Sequence, residues 1–141
     1  MILCDTGILV AIINVRDSHH DRAIGALATV RTHLITTWPC VTEAMYLLGT
    51  HGGNSAQEKL RNSIETGWLA LHVASQEHAE RACMLMRIYH DTPMDFADAS
   101  LVVAAESLNI TRILTLDRHF YAYRINNNIP FEVIPSIDAN M

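Results

Sequence analysis

The chain has 141 residues, half of them hydrophobic, and a formal net charge of −5. That length and apolar content suit one compact domain over residues 1–141 with a sizeable core, and exclude a disordered chain. The acidic balance weakens any claim that the surface as a whole attracts nucleic acid, and does not exclude a local site where cations and arginines invert the potential.

Met1–Asp5 reads as a fully buried strand ending on an aspartate. It lacks the basic start of a signal peptide. The uncharged stretch Thr6–Val15 is about half the length a membrane span needs, so the protein is expected to be cytoplasmic. Thr6 can cap a helix over Gly7–Asn14, and a second helix is expected from Ser18 to Val30. Leu34–Thr37 is a short strand of branched residues. Pro39 then opens a helix to about Gly49, because proline is tolerated in a first turn. Gly52-Gly53-Asn54 reads as a turn, and Ser55 with Glu58 as a capping box for a helix that Gly67 stops.

Trp68–Val73 is the third strand. Ser75 caps a helix to about His90, with Ala79, Ala82, Cys83, Met86 and Tyr89 as its inner stripe. Pro93 breaks the chain before a helix at Phe96–Leu108, apolar nearly all round and therefore buried. Arg112–Leu116 and Phe131–Ile134 are the last strands. Strands and helices alternate, so the fold class is α/β: a parallel central sheet with helices on both faces. Cys4, Cys40 and Cys83 are odd in number and far apart, which favours small buried hydrophobes over metal or disulfide chemistry. Most of the eight histidines are read as surface or packing residues.

Four acids stand where strands end or helices begin: Asp5, Glu43, Asp98 and Asp117. In a parallel sheet these positions meet along one edge. Each has an ordinary explanation. Asp5 and Asp117 suit turns, with Asp117 pairing Arg118 or His119. Glu43 suits the first turn of a helix, and Asp95, three residues before Asp98, suits an N-cap. Asp98 is harder to dismiss, because a capping box more often ends in Glu or Gln. Four such acids on one edge repel each other and are most easily kept ionised by a hard divalent cation, Mg²⁺ or Mn²⁺.

The segments Cys4-Asp5-Thr6-Gly7, Thr36-Thr37-Trp38-Pro39-Cys40-Val41-Thr42-Glu43, Met94-Asp95-Phe96-Ala97-Asp98-Ala99-Ser100 and Leu114-Thr115-Leu116-Asp117-Arg118-His119-Phe120 carry a resemblance. In that order, they resemble the PIN-domain ribonucleases, specifically the VapC-like toxins of toxin–antitoxin pairs. The resemblance implies a PIN-like three-layer sandwich. It implies a metal-dependent endoribonuclease with carboxylates Asp5, Glu43, Asp98 and Asp117, and Asp95 as a further ligand found in some members. Thr6 and Thr115 become site-adjacent hydroxyls. Apart from the resemblance, Arg118 and His119 are candidates to touch RNA phosphate, and a solvated loop explains them equally well. An RNA substrate and a cognate antitoxin are the implied partners. A homodimer is left open: the helices Gly7–Val15 and Ser18–Val30 offer docking faces, but core packing is the commoner explanation for such stripes. One departure is the acidic balance: Lys59 is the single lysine.

Rival readings are weaker. A haloacid-dehalogenase-like phosphatase needs an aspartate where Gly7 stands, and a response-regulator receiver needs a paired acid near the first strand and a late lysine. A housekeeping RNA-processing enzyme and a non-catalytic PIN scaffold remain alternatives, although a scaffold is expected to have lost an acid.

Overall fold

The computed structural model describes residues 1–137; the end of the domain expected over 1–141 lies outside the described residues. Five strands form one sheet in the order β3-β2-β1-β4-β7. They are β1 (Ile2–Cys4), β2 (Leu34–Thr37), β3 (Leu69–His72), β4 (Arg112–Leu114) and β7 (Glu132–Ile134), and every neighbouring pair is parallel. The helices are α1 (Thr6–Ile13), α2 (His20–Thr29), α3 (Trp38–Glu65), α4 (Gln76–Ile88) and α5 (Phe96–Leu108).

The strands read as continuous apolar runs because both faces of the sheet are covered. Successive residues point to opposite faces. Ile2 and Cys4 join Leu34, Leu69 and Leu114 in a core packed with α1, α2 and α3. Leu3 joins Ile35, Ile113 and Val133 in a second core built on α4 and α5. On α5, Ala97, Ala99 and Leu101 through Ala105 are all buried, as its apolar circumference predicts.

Several expectations need correction. Asp5, not Thr6, is the N-cap of α1: its carboxylate accepts the Thr6 amide. The two helices expected on either side of Gly52-Gly53-Asn54 run almost continuously as α3. They are broken only at Gly53, whose backbone (φ 63°, ψ −157°) is open to glycine alone. Across that break, the Gln57 side-chain amide donates to the Met45 carbonyl at 3.0 Å. A Cβ on Gly49 would fall 2.4 Å from the Gln57 side-chain nitrogen, so that amide would have to move off the Met45 carbonyl. The capping box expected of Ser55 and Glu58 does not form among the described residues, because the helix runs on through them; the Glu58 carboxylate is held by Arg61 at 2.6 Å instead. On α4 the buried positions are Ala82 and Leu85, while Cys83 is exposed. Cys83 falls outside the inner stripe because it follows Ala82 by one residue, about a quarter-turn round the helix.

A 3₁₀ turn (Arg118–Tyr121) and the antiparallel pair β5 (Arg124–Ile125) and β6 (Ile129–Pro130) were not expected from the sequence. Arg81 on α4 grips Glu106 on α5 with two bonds of 3.0 and 2.9 Å. Glu106 also accepts the Asn126 amide at 2.7 Å, tying this pair to the helical layer. Among the described residues, no helix is long and apolar enough to cross a membrane.

Candidate active site

Chain order places β2 on one side of β1 and β4 on the other, so the sheet changes direction at the β1–β4 boundary. Beyond the carboxyl ends of such strands a crevice opens, where α/β folds bind ligands. Asp5 follows β1, and Asp117 follows β4 by a few residues. Asp5 is buried. One of its oxygens accepts the Thr6 amide and the other the Thr115 hydroxyl, both at 2.7 Å. Thr115 in turn accepts the Asp117 amide at 3.0 Å. One hydroxyl thus links the acids of two adjacent strands.

Asp98 enters from the first turn of α5. Its carboxylate accepts the Asp95 amide at 3.1 Å, and the Asp95 carboxylate accepts the Asp98 amide at 2.8 Å. The reciprocal capping box, held less expected for an aspartate at its end, does form here. Asp95 is its N-cap and is exposed. Glu43 is exposed in the second turn of α3, not the first, because it is the sixth residue of a helix that begins at Trp38 and a turn takes about 3.6. Asp117 accepts both the backbone amide of His119 at 2.9 Å and its ring nitrogen at 2.7 Å, the local pairing considered for it.

The electrostatics tie these groups together. Burial pushes the Asp5 carboxyl up to about 6, against the bonds from Thr115 and Thr6, and the charges of Asp117 and Glu43 add to the rise. Burial raises Asp98 too, with Asp95 and Asp5 contributing like-charge repulsion. Burial and Asp95 raise Glu43, while the nearby Thr6 hydroxyl favours its charged form. At normal hydrogen-bonding distance, the buried Thr6 hydroxyl has no partner among the described residues. The sequence did not single out Tyr123, whose ionisation the charges of this region oppose. Its buried hydroxyl donates to the Pro93 carbonyl and is held protonated by burial and by the charges of Asp98, Asp117, Asp95 and Asp5.

Among the described residues, no three carboxylate, imidazole or thiol groups are already arranged as a cation cage. Asp5, Asp95, Asp98 and Asp117 are each turned onto backbone amides or a neighbouring side chain. The donor chemistry nonetheless fits a hard cation: oxygen donors, carboxyls that resist ionising alone, and an orphaned hydroxyl beside them. The buried thiols of Cys4 and Cys40 are also pushed up by burial and the Asp5 charge, so they stay protonated and inert.

A groove of about 350 Å³ runs past Asp5 and Asp117, and Asp17, His19 and His51 also line it. These three were not picked out from the sequence. The only signal was the histidine doublet His19-His20 just beyond the first helix. Arg118 and His119 are exposed on the 3₁₀ turn that follows Asp117.

A profile of the PIN domain matches residues 2–126. Ribonuclease VapC26 of Mycobacterium tuberculosis is 29% identical over 134 residues, covering 94% of this chain and 99% of that protein. The fold is similar to the crystal structure of M. tuberculosis VapC20, described as a sarcin-ricin loop cleaving toxin. The TM-score is 0.81 and the identity 19%, covering 86% of this chain and 94% of the other. It is also similar to VapBC2 of Rickettsia felis bound to a DNA fragment from its promoter, with TM-score 0.65, 19% identity, and 94% and 98% of the two chains covered. At these identities the two structures speak to the fold alone.

Proposed function

This chain belongs to the PIN-domain family, and from that premise we propose that it is a divalent-metal-dependent endoribonuclease, the toxin of a toxin–antitoxin pair acting in the cytoplasm. The observation that carries the reading is the acidic crevice at the β1–β4 boundary, where burial and mutual repulsion raise the proton affinity of Asp5 and Asp98. Such a crevice suits a cation and a phosphodiester better than any neutral ligand.

In this reading Asp5, Asp98 and Asp117 hold the ion directly or through water. Glu43 helps hold a second ion or orients the attacking water, and Asp95 is a secondary ligand or remains a cap. A bound Mg²⁺ or Mn²⁺ supplies a more acidic water and neutralises charge on the phosphate. Thr115 keeps Asp5 charged and in place. Thr6 offers its orphaned hydroxyl to the site. Arg118 and His119 face RNA phosphate from the rim, where arginine's fork suits phosphate oxygens.

The toxin assignment draws support from the likeness to a protein named Ribonuclease VapC26, and from solved complexes that pair similar chains with antitoxins. The partner proposed here is a small protein with a basic residue in an apolar segment, inserted among Asp5, Glu43, Asp98 and Asp117 in place of the metal's charge. Expression without a partner separates the toxin from a housekeeping RNA-processing enzyme. Wild type is expected to arrest growth, Asp98→Ala not to, and the co-expressed neighbouring gene to rescue. Harmless high expression of a chain that cleaves RNA in vitro would favour the processing enzyme.

A further inference from the structure

The groove past Asp5 and Asp117 does not end at the acids. It adjoins a second groove of about 350 Å³, and His51 lines both. The chain also passes from one to the other between Arg16, which lines the second, and Asp17, which lines the first. The second groove lies between the turn after α1 and the Gly53 break in α3. Its polar lining is Asn14, Arg16, His51, Ser55 and Lys59, and no acid lines it among the described residues.

The chain carries −5 overall and a single lysine, and that lysine is here. Arg61, Arg81 and Arg112 are paired with Glu58, Glu106 and Glu132. Among the described residues, the side chains of Arg16 and Lys59 have no hydrogen bond or ion pair. The acids beside them in sequence are engaged elsewhere. Asp17 is turned onto the His19 amide at 2.8 Å, and Arg61 holds Glu58. The Asn14 side chain accepts the Arg16 amide at 3.1 Å, which fixes the turn that presents the arginine. An RNA strand cut at the crevice is charged at every phosphate, and a bound cation offsets charge only at the reacting bond. Its flanking phosphates are repelled by Asp5, Asp17 and Asp117, and attracted by the acid-free groove next to them. A groove with unpaired cations suits a nucleic-acid backbone, which it tracks without reading sequence.

We propose that Arg16 and Lys59 bind the phosphates that flank the cleaved bond on one side, so that this arm of the RNA leaves the crevice past His51. The proposal rests on the nuclease reading above, and its test separates the two. RNA oligomers, shortened one nucleotide at a time from either end, would be cleaved by the full chain with Mg²⁺ or Mn²⁺ over a range of salt. Arg16→Gln and Lys59→Gln should each raise KM for the longest RNA roughly three- to fivefold, equally for unrelated sequences. Each should flatten the slope of log KM against log salt by about 0.7. The double variant should become indifferent to shortening from one end while still responding to the other as wild type does. Arg16→Lys combined with Lys59→Arg should restore the wild-type pattern. Arg87→Gln removes the same charge from α4, on the opposite face of the sheet, and should leave KM and slope unchanged. Melting temperatures would confirm that the variants fold. Unaltered KM and slope in the double variant, with cleavage intact, would overturn the phosphate groove and leave the nuclease standing. An equal rise in KM with Arg87→Gln would also overturn it, because overall charge would then be the cause. Failure of wild type to cleave any RNA would overturn both readings. If the double variant cleaves like wild type but no longer binds the co-expressed neighbouring protein, the groove holds an acidic protein segment and the proposal fails.

Discussion

The Thr115 hydroxyl donates to Asp5 across 110 residues of sequence, at 2.7 Å, while accepting the Asp117 amide at 3.0 Å. Two strands are thereby joined at the boundary where the sheet changes direction, and the acids that follow them are held in register. Thr115→Val keeps the volume and removes both bonds. It should cost about 1–3 kcal/mol, because the buried Asp5 oxygen loses its donor. Without that bond the Asp5 carboxyl rises further, so the acid limb of the cleavage pH profile should move to higher pH. An unchanged profile together with unchanged stability would deny Thr115 this role.

Asp5 stands at about 6 in the fold against 3.8 ordinarily, so the folded state holds its proton more tightly than the unfolded chain. Its contribution to stability is therefore full below pH 3.8, declines as pH rises toward about 6, and is lost above that. Asp98 acts in the same direction. Metal-free Asp5→Asn protein should then be more stable than wild type above pH 6, by roughly 1–3 kcal/mol, with the advantage fading toward pH 4. Denaturant melts in EDTA at the two extremes measure this. A variant less stable than wild type at high pH would contradict the burial and repulsion that hold the Asp5 carboxyl up, on which the metal reading depends.

The same raised proton affinity makes cation and proton compete. Affinity for Mn²⁺ should climb with pH until Asp5 and Asp98 ionise, and binding should release protons. Millimolar Mn²⁺ should raise the melting temperature of wild type by mass action, and not that of Asp5→Asn. Calorimetry in buffers of different ionisation enthalpy would count the protons. Equal melting temperatures with EDTA and with Mn²⁺ would weigh heavily against an ion site.

Asp95 and Asp98 share a capping box yet should separate functionally. Asparagine caps a helix about as well as aspartate, so Asp95→Asn should retain stability and most cleavage. Asp98→Asn removes a carboxylate from the crevice and should abolish cleavage while the protein still folds. Equal losses in both would make Asp95 a full member of the set.

Glu106 offers the opposite control, because it holds Arg81 and the Asn126 amide well away from the proposed chemistry. Glu106→Gln should lower stability by about 1–3 kcal/mol, through a weakened ion pair, without changing KM for RNA. A selective loss of cleavage at full stability would show that the β5–β6 hairpin takes part in the reaction.

Periodicity made most of the architecture legible in advance. The apolar runs at Ile2–Cys4 and Leu34–Thr37, and the all-round apolar α5, leave little freedom once a parallel sheet covered on both faces is assumed. The carboxylates were legible because strand ends and helix starts share one edge of such a sheet. What escaped depends on contacts between distant segments. The break at Gly53 is a single residue, too small to stop a helix that Gln57 bridges. The β5–β6 pair is two residues a side and is held by Glu106, so no local pattern announces it. Tyr123 reads as one aromatic among several until the fold buries its hydroxyl on the Pro93 carbonyl, where the charges of four acids oppose its ionisation. Trp38 and Phe96 adjoin motif residues, but that they wall one pocket follows only from the packing of α3 against α5.

The most direct measurement is cleavage of a defined RNA panel by purified, partner-free protein, with EDTA, Mg²⁺ or Mn²⁺, alongside Asp98→Asn. The account predicts discrete cuts by wild type that require the added ion and vanish both in EDTA and in the variant. Undiminished cleavage in EDTA, or by folded Asp98→Asn protein in the presence of the ion, would contradict it.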